Sequence, residues 1–310
     1  MKVAVIGAGP AGMSCANALL SFGMEPVVIE RADHVGGIQR ANFHPNLWML
    51  GMPGETGTEI TERLASHYFD LPIATHLKAT IQAVARTDDG FSLSLTTSSG
   101  DSELAAAAVV LATGSQPRST PELTALAEKS DRVIIGPLSE TIRDGIRAGR
   151  VLILGGGDNA LDHALYLAER GNRVTVCARR DFSARRQFQT ACAGRTEIEL
   201  RKTCLPNALA ALEDGLSARL NGTAETYDWL LVMYGYEPNT GILQRFEPVI
   251  RPRLADSSHI HVDRGQRTSV PGIYAAGDVT DCIQPSVPTA IAQGLAAAKS
   301  IELDQATQST

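Results

Sequence analysis

The chain has 310 residues, 44% of them hydrophobic and 20% charged, and a formal net charge of -6. That balance, with a mean hydropathy of -0.04 and a pI near 5.7, excludes nucleic acid and anionic membrane surfaces as principal partners, and no apolar run is as long as a membrane span. The length sets a prior of two domains, and an N-terminus that enters an apolar run directly, with no leader to remove, sets the cytoplasm as the expected location.

Val3–Ile6 is a continuous apolar run, the pattern of a strand buried on both faces. Gly7, Gly9 and Gly12 follow at G-x-G-x-x-G spacing, with Pro10 and Ala11 between them. An Ala/Leu-rich segment then stops at Gly23, and a second apolar run, Val27–Ile29, closes on Glu30 and Arg31. In a βαβ unit these glycines serve a tight turn, close approach of the backbone to a pyrophosphate, and close helix–strand packing. The helix N-terminus presents free N–H groups to phosphate, and the acid at the end of the second strand accepts from a ribose with a free 2′-OH.

The pattern occurs twice. Val151–Ala178 lies over Val3–Glu30 without a gap, 148 residues later, so that Gly155 falls on Gly7, Gly157 on Gly9, Ala160 on Gly12 and Gly171 on Gly23. Asp158 and Asn159 occupy the positions of Pro10 and Ala11. The chemical contrast sits at the second strand's end, where Ala178 replaces Glu30 and is followed by Arg179 and Arg180, with Arg185 a little further on. Loss of the carboxylate and gain of guanidiniums is what a 2′-phosphate requires. The first site therefore reads as FAD- or NAD-type and the second as NADP-type, in an α/β chain of two Rossmann-like domains; the alternative for Arg179 and Arg180 is a solvated basic strand end.

Between the repeats, Gly36-Gly37 opens a polar and aromatic loop that could wrap a flavin, with Phe43 and Trp48 as either part of that wrap or simple loop anchors. Thr58–Tyr68 reads as a helix. Thr80–Val84 and Phe91–Leu95 read as strands joined at Asp88-Asp89-Gly90, and Ala105–Leu111 as one buried strand ending in Ala112-Thr113-Gly114. Pro121–Gly149 is a mixed connector. After the second repeat, Glu197–Leu231 reads as short strands with turns at Asp214-Gly215 and Asn221-Gly222, closing on Trp229–Met233. Ile260–Val262 is strand-like, the last helix is expected to begin near Thr289, and the residues from Gln305 on read as a frayed end.

Five cysteines at scattered spacing, with no C-x-x-C, do not make a disulfide framework. Cys15 and Cys177 read as small core residues. Cys192 and Cys204 could pair, but nothing in the sequence favours it.

With Ala112-Thr113-Gly114, the run GYEPNT at 235–240 and the run GIYAAGD at 272–278 in this order, the chain resembles the two-dinucleotide-binding-domain flavoproteins, and most of all the low-molecular-weight thioredoxin reductases. The resemblance implies a second Rossmann-like domain inserted in the first: an FAD domain at 1–117 and 242–310, and an NADPH domain at 118–241. It also implies a homodimer. By the family pattern, Gly37, Thr113, Gly114, Gly277 and Asp278 join the first glycine loop around FAD. Asp278 would bond the ribityl chain, and Thr289 and Ala290, at the start of the last helix, would face the pyrimidine side of the flavin. The segment Arg179-Arg180-Asp181 is similar to the family's 2′-phosphate motif.

One departure bears on function. The family's C-x-x-C, shortly before the second glycine motif, is replaced here by Gly136-Pro137-Leu138-Ser139-Glu140, and without two thiols there is no relay to a disulfide. Bacillithiol disulfide reductases place a Cys where this chain has Ala11. The related ferredoxin/flavodoxin–NADP reductases also lack the dithiol, and their PTA at the last helix matches Pro288-Thr289-Ala290. The expectation is an FAD-dependent NADPH oxidoreductase serving a redox protein or small-molecule acceptor. The chemistry resides in the cofactor, so no catalytic side chain is named and no metal is expected; His44 and Cys282 are candidates only by their place near the flavin in the family layout. Two alternatives stand beside it: a divergent disulfide reductase using Cys282 or the Cys192/Cys204 region, and a flavin-binding protein without turnover.

Overall fold

The computed structural model describes residues 1–308 except Leu47 and Ile283. Contacts divide the chain into two compact units, Met1–Ser115 with Pro238–Thr310, and Gln116–Glu237.

In chain order the first unit begins with β1 (Lys2–Ile6), α1 (Pro10–Ser21), β2 (Glu25–Ile29), α2 (Gly57–Phe69), β3 (Ala74–His76), β4 (Thr80–Thr87), β5 (Gly90–Thr97), β6 (Gly100–Ala106) and β7 (Ala108–Leu111). The chain crosses at β8 (Ser115–Pro117) into the second unit. There follow α3 (Pro121–Ala127), β9 (Val133–Ile135), β10 (Arg150–Leu154), α4 (Asp158–Ala168), β11 (Arg173–Cys177), α5 (Arg186–Ala193), β12 (Ile198–Arg201), β13 (Pro206–Leu212), β14 (Gly215–Leu220), β15 (Thr223–Tyr227) and β16 (Trp229–Val232). It returns at β17 (Tyr236–Pro238), and β18 (Ile273–Ala275) and α6 (Val287–Gln308) complete the first unit.

The two parallel sheets repeat one another: β3-β2-β1-β7-β18 in the first unit and β12-β11-β10-β16-β9 in the second, each with a three-stranded antiparallel sheet beside it, β4-β5-β6 and β13-β14-β15. The repeat extends to single hydrogen bonds. Gly7 N donates to Ile29 O at 2.8 Å as Gly155 N does to Cys177 O at 3.0 Å. The loop after the second strand folds back onto the glycine loop in both, Gly36 N onto Ala8 O at 2.8 Å and Ala184 N onto Gly156 O at 3.0 Å. Beyond their first residues, Lys2 and Arg150, the central strands β1 and β10 are buried, as their unbroken apolar runs require.

Four readings of the sequence change. Ala105–Leu111 is not one strand: Ala106 pairs with Phe91 in an antiparallel ladder and Ala108 with Val3 in a parallel one. The chain switches sheets at Ala107, a change that an apolar run does not reveal. Ile260–Val262 makes no strand, because Ile260 bridges Leu254 on one side and Thr280 on the other in single isolated contacts. The connector 121–149 supplies α3 and the edge strand β9. The last helix starts two residues earlier, at Val287, and continues through Gln308; Ser309 and Thr310 lie outside the described residues.

That helix is held at its far end by a charged cluster. Arg267 grips Asp304 with Nε and Nη2 at 2.8 and 2.7 Å, and Tyr274 Oη donates to the same carboxylate at 2.7 Å. The bonds from Arg267 and then Tyr274 hold Asp304 below the usual carboxylate range, against the pull of burial. A depressed carboxylate contributes stability above its unfolded pKa and loses it as pH falls through the folded value. Asp304→Asn should therefore lower the Tm at neutral pH, and the gap from the parent should close as the pH drops below about 4, where the unfolded Asp protonates. Thermal melts across pH 2.5–7 check this; a gap independent of pH would contradict it.

Candidate functional site

The N-termini of α1 and α4 are open. Gly9 and Gly157 stand at their N-caps in extended conformation, and no side chain caps either helix. In α2, by contrast, Thr56 and Glu59 close the first turn with a reciprocal capping box. Uncapped N–H groups at the carboxyl end of a parallel sheet form a seat for an anion.

Glycines shape the first seat. Gly7 has φ +105° and a Cβ there would collide with Ala112 O, while a Cβ on Gly12 would collide with Gly7 O, so α1 runs tightly against β1. Nothing stands within 4 Å of the Cβ position of Gly9, which leaves its backbone open to a ligand. A Cβ on Gly37 would lie 3.2 Å from Gly9 Cα, and one on Gly277 would lie 2.9 Å from Ala11 Cβ, so both loops press on the start of α1.

Glu30 is fixed by its surroundings. Its Oε2 accepts from Ala8 N at 2.7 Å and its Oε1 from Ala32 N at 2.8 Å. Each carboxylate oxygen has a second lone pair, which leaves acceptor capacity for a ribose. All the first-site candidates except Gly12 and Thr289 line one cleft of about 280 Å³, including Gly7, Gly9, Pro10, Ala11, Glu30, Arg31, Gly37, Thr113, Gly114, Gly277, Asp278 and Ala290. Gly12 is buried beneath its floor. Thr289 is held at the head of α6, its N–H donating to Ser286 Oγ at 3.3 Å. A second cleft of about 360 Å³ shares Gly7, Glu30, Arg31 and Thr113, and continues past Thr80 and Asn239. Burial raises the Asp278 carboxyl above the usual range, with a hydrogen bond from Ser115 working the other way. Neither His44 nor Cys282 is among the residues lining these clefts, Trp48 is 63% exposed, and the Phe43 ring lies 4.4 Å from that of His44.

Sequence reasoning missed Gln293, which lies on α6. Its Oε1 accepts from Gly277 N at 2.8 Å and its Nε2 donates to Thr280 Oγ1 at 3.2 Å, fixing the turn that carries Asp278. It also missed Gly294, where a Cβ would strike Ala11 O. No local motif marks either residue; their role comes from the approach of α6 to α1.

The second seat repeats the first with altered chemistry. Gly155 has φ +150°, and a Cβ there would collide with Met233 O. Ala160, unlike Gly12, carries its Cβ in full burial. Asn159 sits in the first turn of α4, where its carbonyl meets His163 Nδ1 at 2.8 Å. Arg179 and Arg180 are exposed, and the charge of Arg179 acts on the Tyr234 hydroxyl, lowering its pKa against the larger, opposite effect of burial. Arg185 is committed to Asp158: its backbone N–H and its Nε both reach that carboxylate at 2.7 Å. The residues fit the two nucleotides, with a hydroxyl acceptor in one seat and exposed guanidiniums in the other.

The fold has known counterparts. Residues 1–294 match the family described as pyridine nucleotide-disulphide oxidoreductase. This chain belongs to that family. It is 30% identical to a ferredoxin–NADP reductase of Limosilactobacillus fermentum over 292 residues, covering 89% of this chain and 84% of the relative. It is 26% identical to a thioredoxin reductase of Buchnera aphidicola, covering 97% and 93%. In fold it follows the thioredoxin reductase of Lactococcus lactis with a TM-score of 0.80, at 23% identity and 98% coverage of both chains. The chain is thus a thioredoxin-reductase-like oxidoreductase with FAD and NAD(P)H as its cofactors. No helix among the described residues is long and apolar enough to cross a membrane.

Proposed function

We propose that this oxidoreductase carries reducing equivalents from NADPH, through FAD, to an external acceptor protein of the ferredoxin or flavodoxin class, with no thiol relay. The observation that carries this reading is where its sulfurs lie. Cys15, Cys177, Cys192 and Cys204 are buried and only Cys282 is half-buried. Where a dithiol would stand, Gly136–Glu140 has no sulfur, and Pro137 O instead faces His163 Nε2 at 3.0 Å. The thiol of Cys282 is pushed up by burial and then by Asp278 and Asp281, the opposite of what an attacking thiolate needs. The ferredoxin–NADP reductase relatives carry ferredoxin in their names.

On this reading the first unit holds FAD and the second NADPH. Bound flavin supplies the exchange between a hydride donor and acceptors of one or two electrons. The chain contributes binding and field. The open N-terminus of α1 receives the pyrophosphate, Glu30 accepts from the ribose, Thr113 and Gly114 border the same cleft, and Asp278 meets the ribityl chain. The N-terminal end of α6, at Thr289 and Ala290, favours negative charge on the reduced ring. Gly157 and the first turn of α4 receive the NADPH pyrophosphate, and Arg179 and Arg180 the 2′-phosphate, with Arg185 acting through Asp158. We place the protein in the cytoplasm as a homodimer.

Glu30→Gln replaces one acceptor with an amide that faces an N–H, and should weaken FAD binding about 10- to 100-fold, equivalent to about 1–3 kcal/mol. Fluorescence titration of apoprotein with FAD reads this; unchanged affinity would remove Glu30 from the site. The acceptor is tested by turnover with ferredoxin and flavodoxin against thioredoxin and a small aromatic disulfide. Reduction of the electron carriers, undiminished in Cys282→Ser, is expected. Turnover with disulfides alone, abolished in that variant, would establish a disulfide reductase instead.

A further inference from the structure

The second unit contains a thiol pair that neither seat uses. Cys177 is the last residue of β11, and Cys204 lies three residues beyond the end of β12. Their sulfurs are 2.6 Å apart, nearer to a covalent S–S bond than to the separation of unbonded sulfurs. The backbones that carry them are laced together: Ala178 N donates to Arg201 O at 2.9 Å, and Cys204 N to Ala178 O at 3.0 Å. Cys192, the partner that spacing allowed for Cys204, instead points its Sγ at Leu161 O, 3.4 Å away. Both paired thiols are buried, within a cluster that includes Leu154, Leu216 and Leu230.

What surrounds the pair gives it a consequence. Cys177 and Ala178 lead straight into Arg179 and Arg180, and the loop is bracketed on its far side by Lys202, whose Nζ lies 2.9 Å from Asp181 Oδ1. A bond between the sulfurs would fasten the base of the 2′-phosphate loop to the turn after β12. We propose that Cys177 and Cys204 are a reversible disulfide site that stiffens this loop and so raises the affinity of the second unit for NADPH. The effect on affinity rests on the proposed placement of NADPH; the disulfide itself does not.

With hydrogen peroxide as oxidant, one thiolate attacks an oxygen and becomes a sulfenic acid, releasing hydroxide, which takes up the thiol proton to form water. The other sulfur then displaces the sulfenic oxygen as a second water. Two thiols and one peroxide give one disulfide and two waters. A small dithiol reverses the bond by exchange. Because burial keeps the Cys177 thiol protonated, the step needs transient opening of the loop, and the site answers sustained oxidant in place of brief pulses. That behaviour suits a reducing compartment, where disulfides are transient and sensing. The affinity gain follows because the ordering of Arg179 and Arg180 is supplied before the nucleotide arrives.

The experiment uses the FAD-loaded full chain, treated with peroxide, alkylated and digested, with intact mass and NADPH titration in parallel. A loss of two hydrogens, a Cys177–Cys204 cross-linked peptide, a Tm higher by about 5 °C or more and a several-fold lower Kd for NADPH, all reversed by a dithiol, are expected. Alkylation of both residues after oxidation, or a cross-link to Cys192 or Cys282, overturns the site. A correct cross-link with unchanged NADPH affinity overturns the coupling. If the protein binds no NADPH under any condition, the functional placement fails while the mass result still decides the disulfide. Cys204→Ser and Cys177→Ser, each expected to abolish the mass change, guard against a wrong assignment, and the wild-type peptide map stands if either variant does not fold.

Discussion

Replacing Arg179 and Arg180 together with Ala should raise the KM for NADPH about 100-fold, leave kcat within about twofold and leave turnover with NADH unchanged. One planar guanidinium bonded to a phosphate contributes on the order of 1.5–3 kcal/mol, the range for hydrogen bonds to charged groups, so 100-fold, about 2.7 kcal/mol, is a modest sum for two. The selectivity of the effect follows from the site: both side chains are exposed, so their loss leaves no cavity. Arg185→Ala should behave differently. It strips Asp158 of a 2.7 Å ion pair at the first turn of α4, which should weaken NADH and NADPH alike through the pyrophosphate seat. Initial rates with both nucleotides separate the two cases. Equal loss with NADH in the double variant would show that the arginines do not read the 2′-phosphate.

Gly12→Ala should yield protein with at least about tenfold weaker FAD retention and lowered stability. The added methyl would lie 1.9 Å from Gly7 O. The neighbour is backbone, so α1 must move away from β1, and overpacking of this kind costs about 1–3 kcal/mol or more. The displacement moves the N–H groups of the first turn out of the cleft. The matching position of the other unit is the internal control: Ala160 already carries a methyl in complete burial, so Ala160→Gly should cost only about 1 kcal/mol of helix propensity. Absorbance ratios of the purified proteins and their melts report both. A yellow, fully loaded Gly12→Ala protein would refute the close-packing role.

The duplicated βαβ pattern was legible because it consists of local facts: apolar runs, glycines where a backbone must turn or touch another, and one acid exchanged for Arg179 and Arg180. It extends further than spacing alone can show, down to Gly36 N on Ala8 O and Ala184 N on Gly156 O. What escaped is non-local. The break at Ala107 depends on which strands receive each half of an apolar run. The bridges of Ile260 depend on Leu254 and Thr280 arriving from either side. Gln293 and Gly294 are ordinary residues on a helix until that helix meets the loop at Gly277 and the start of α1. The early start of α6 has a local cause: Ser286 already accepts from Thr289 N–H, so the first turn forms ahead of it. The pairing of Cys204 with Cys177 in place of Cys192 is likewise a matter of strand order, with β11 and β12 adjacent in the sheet.

In the proposed function NADPH delivers electrons to a bound flavin, and no protein thiol accepts them next. Anaerobic titration of the FAD-loaded protein with NADPH and, separately, with NADH tests both halves, with flavin bleaching followed at each addition. Rapid bleaching by NADPH, much slower bleaching by NADH, and an end point at one equivalent of NADPH per flavin are expected. An end point at two equivalents would reveal a redox-active thiol pair in exchange with the flavin, and no bleaching by either nucleotide would rule out NADPH as the flavin's reductant.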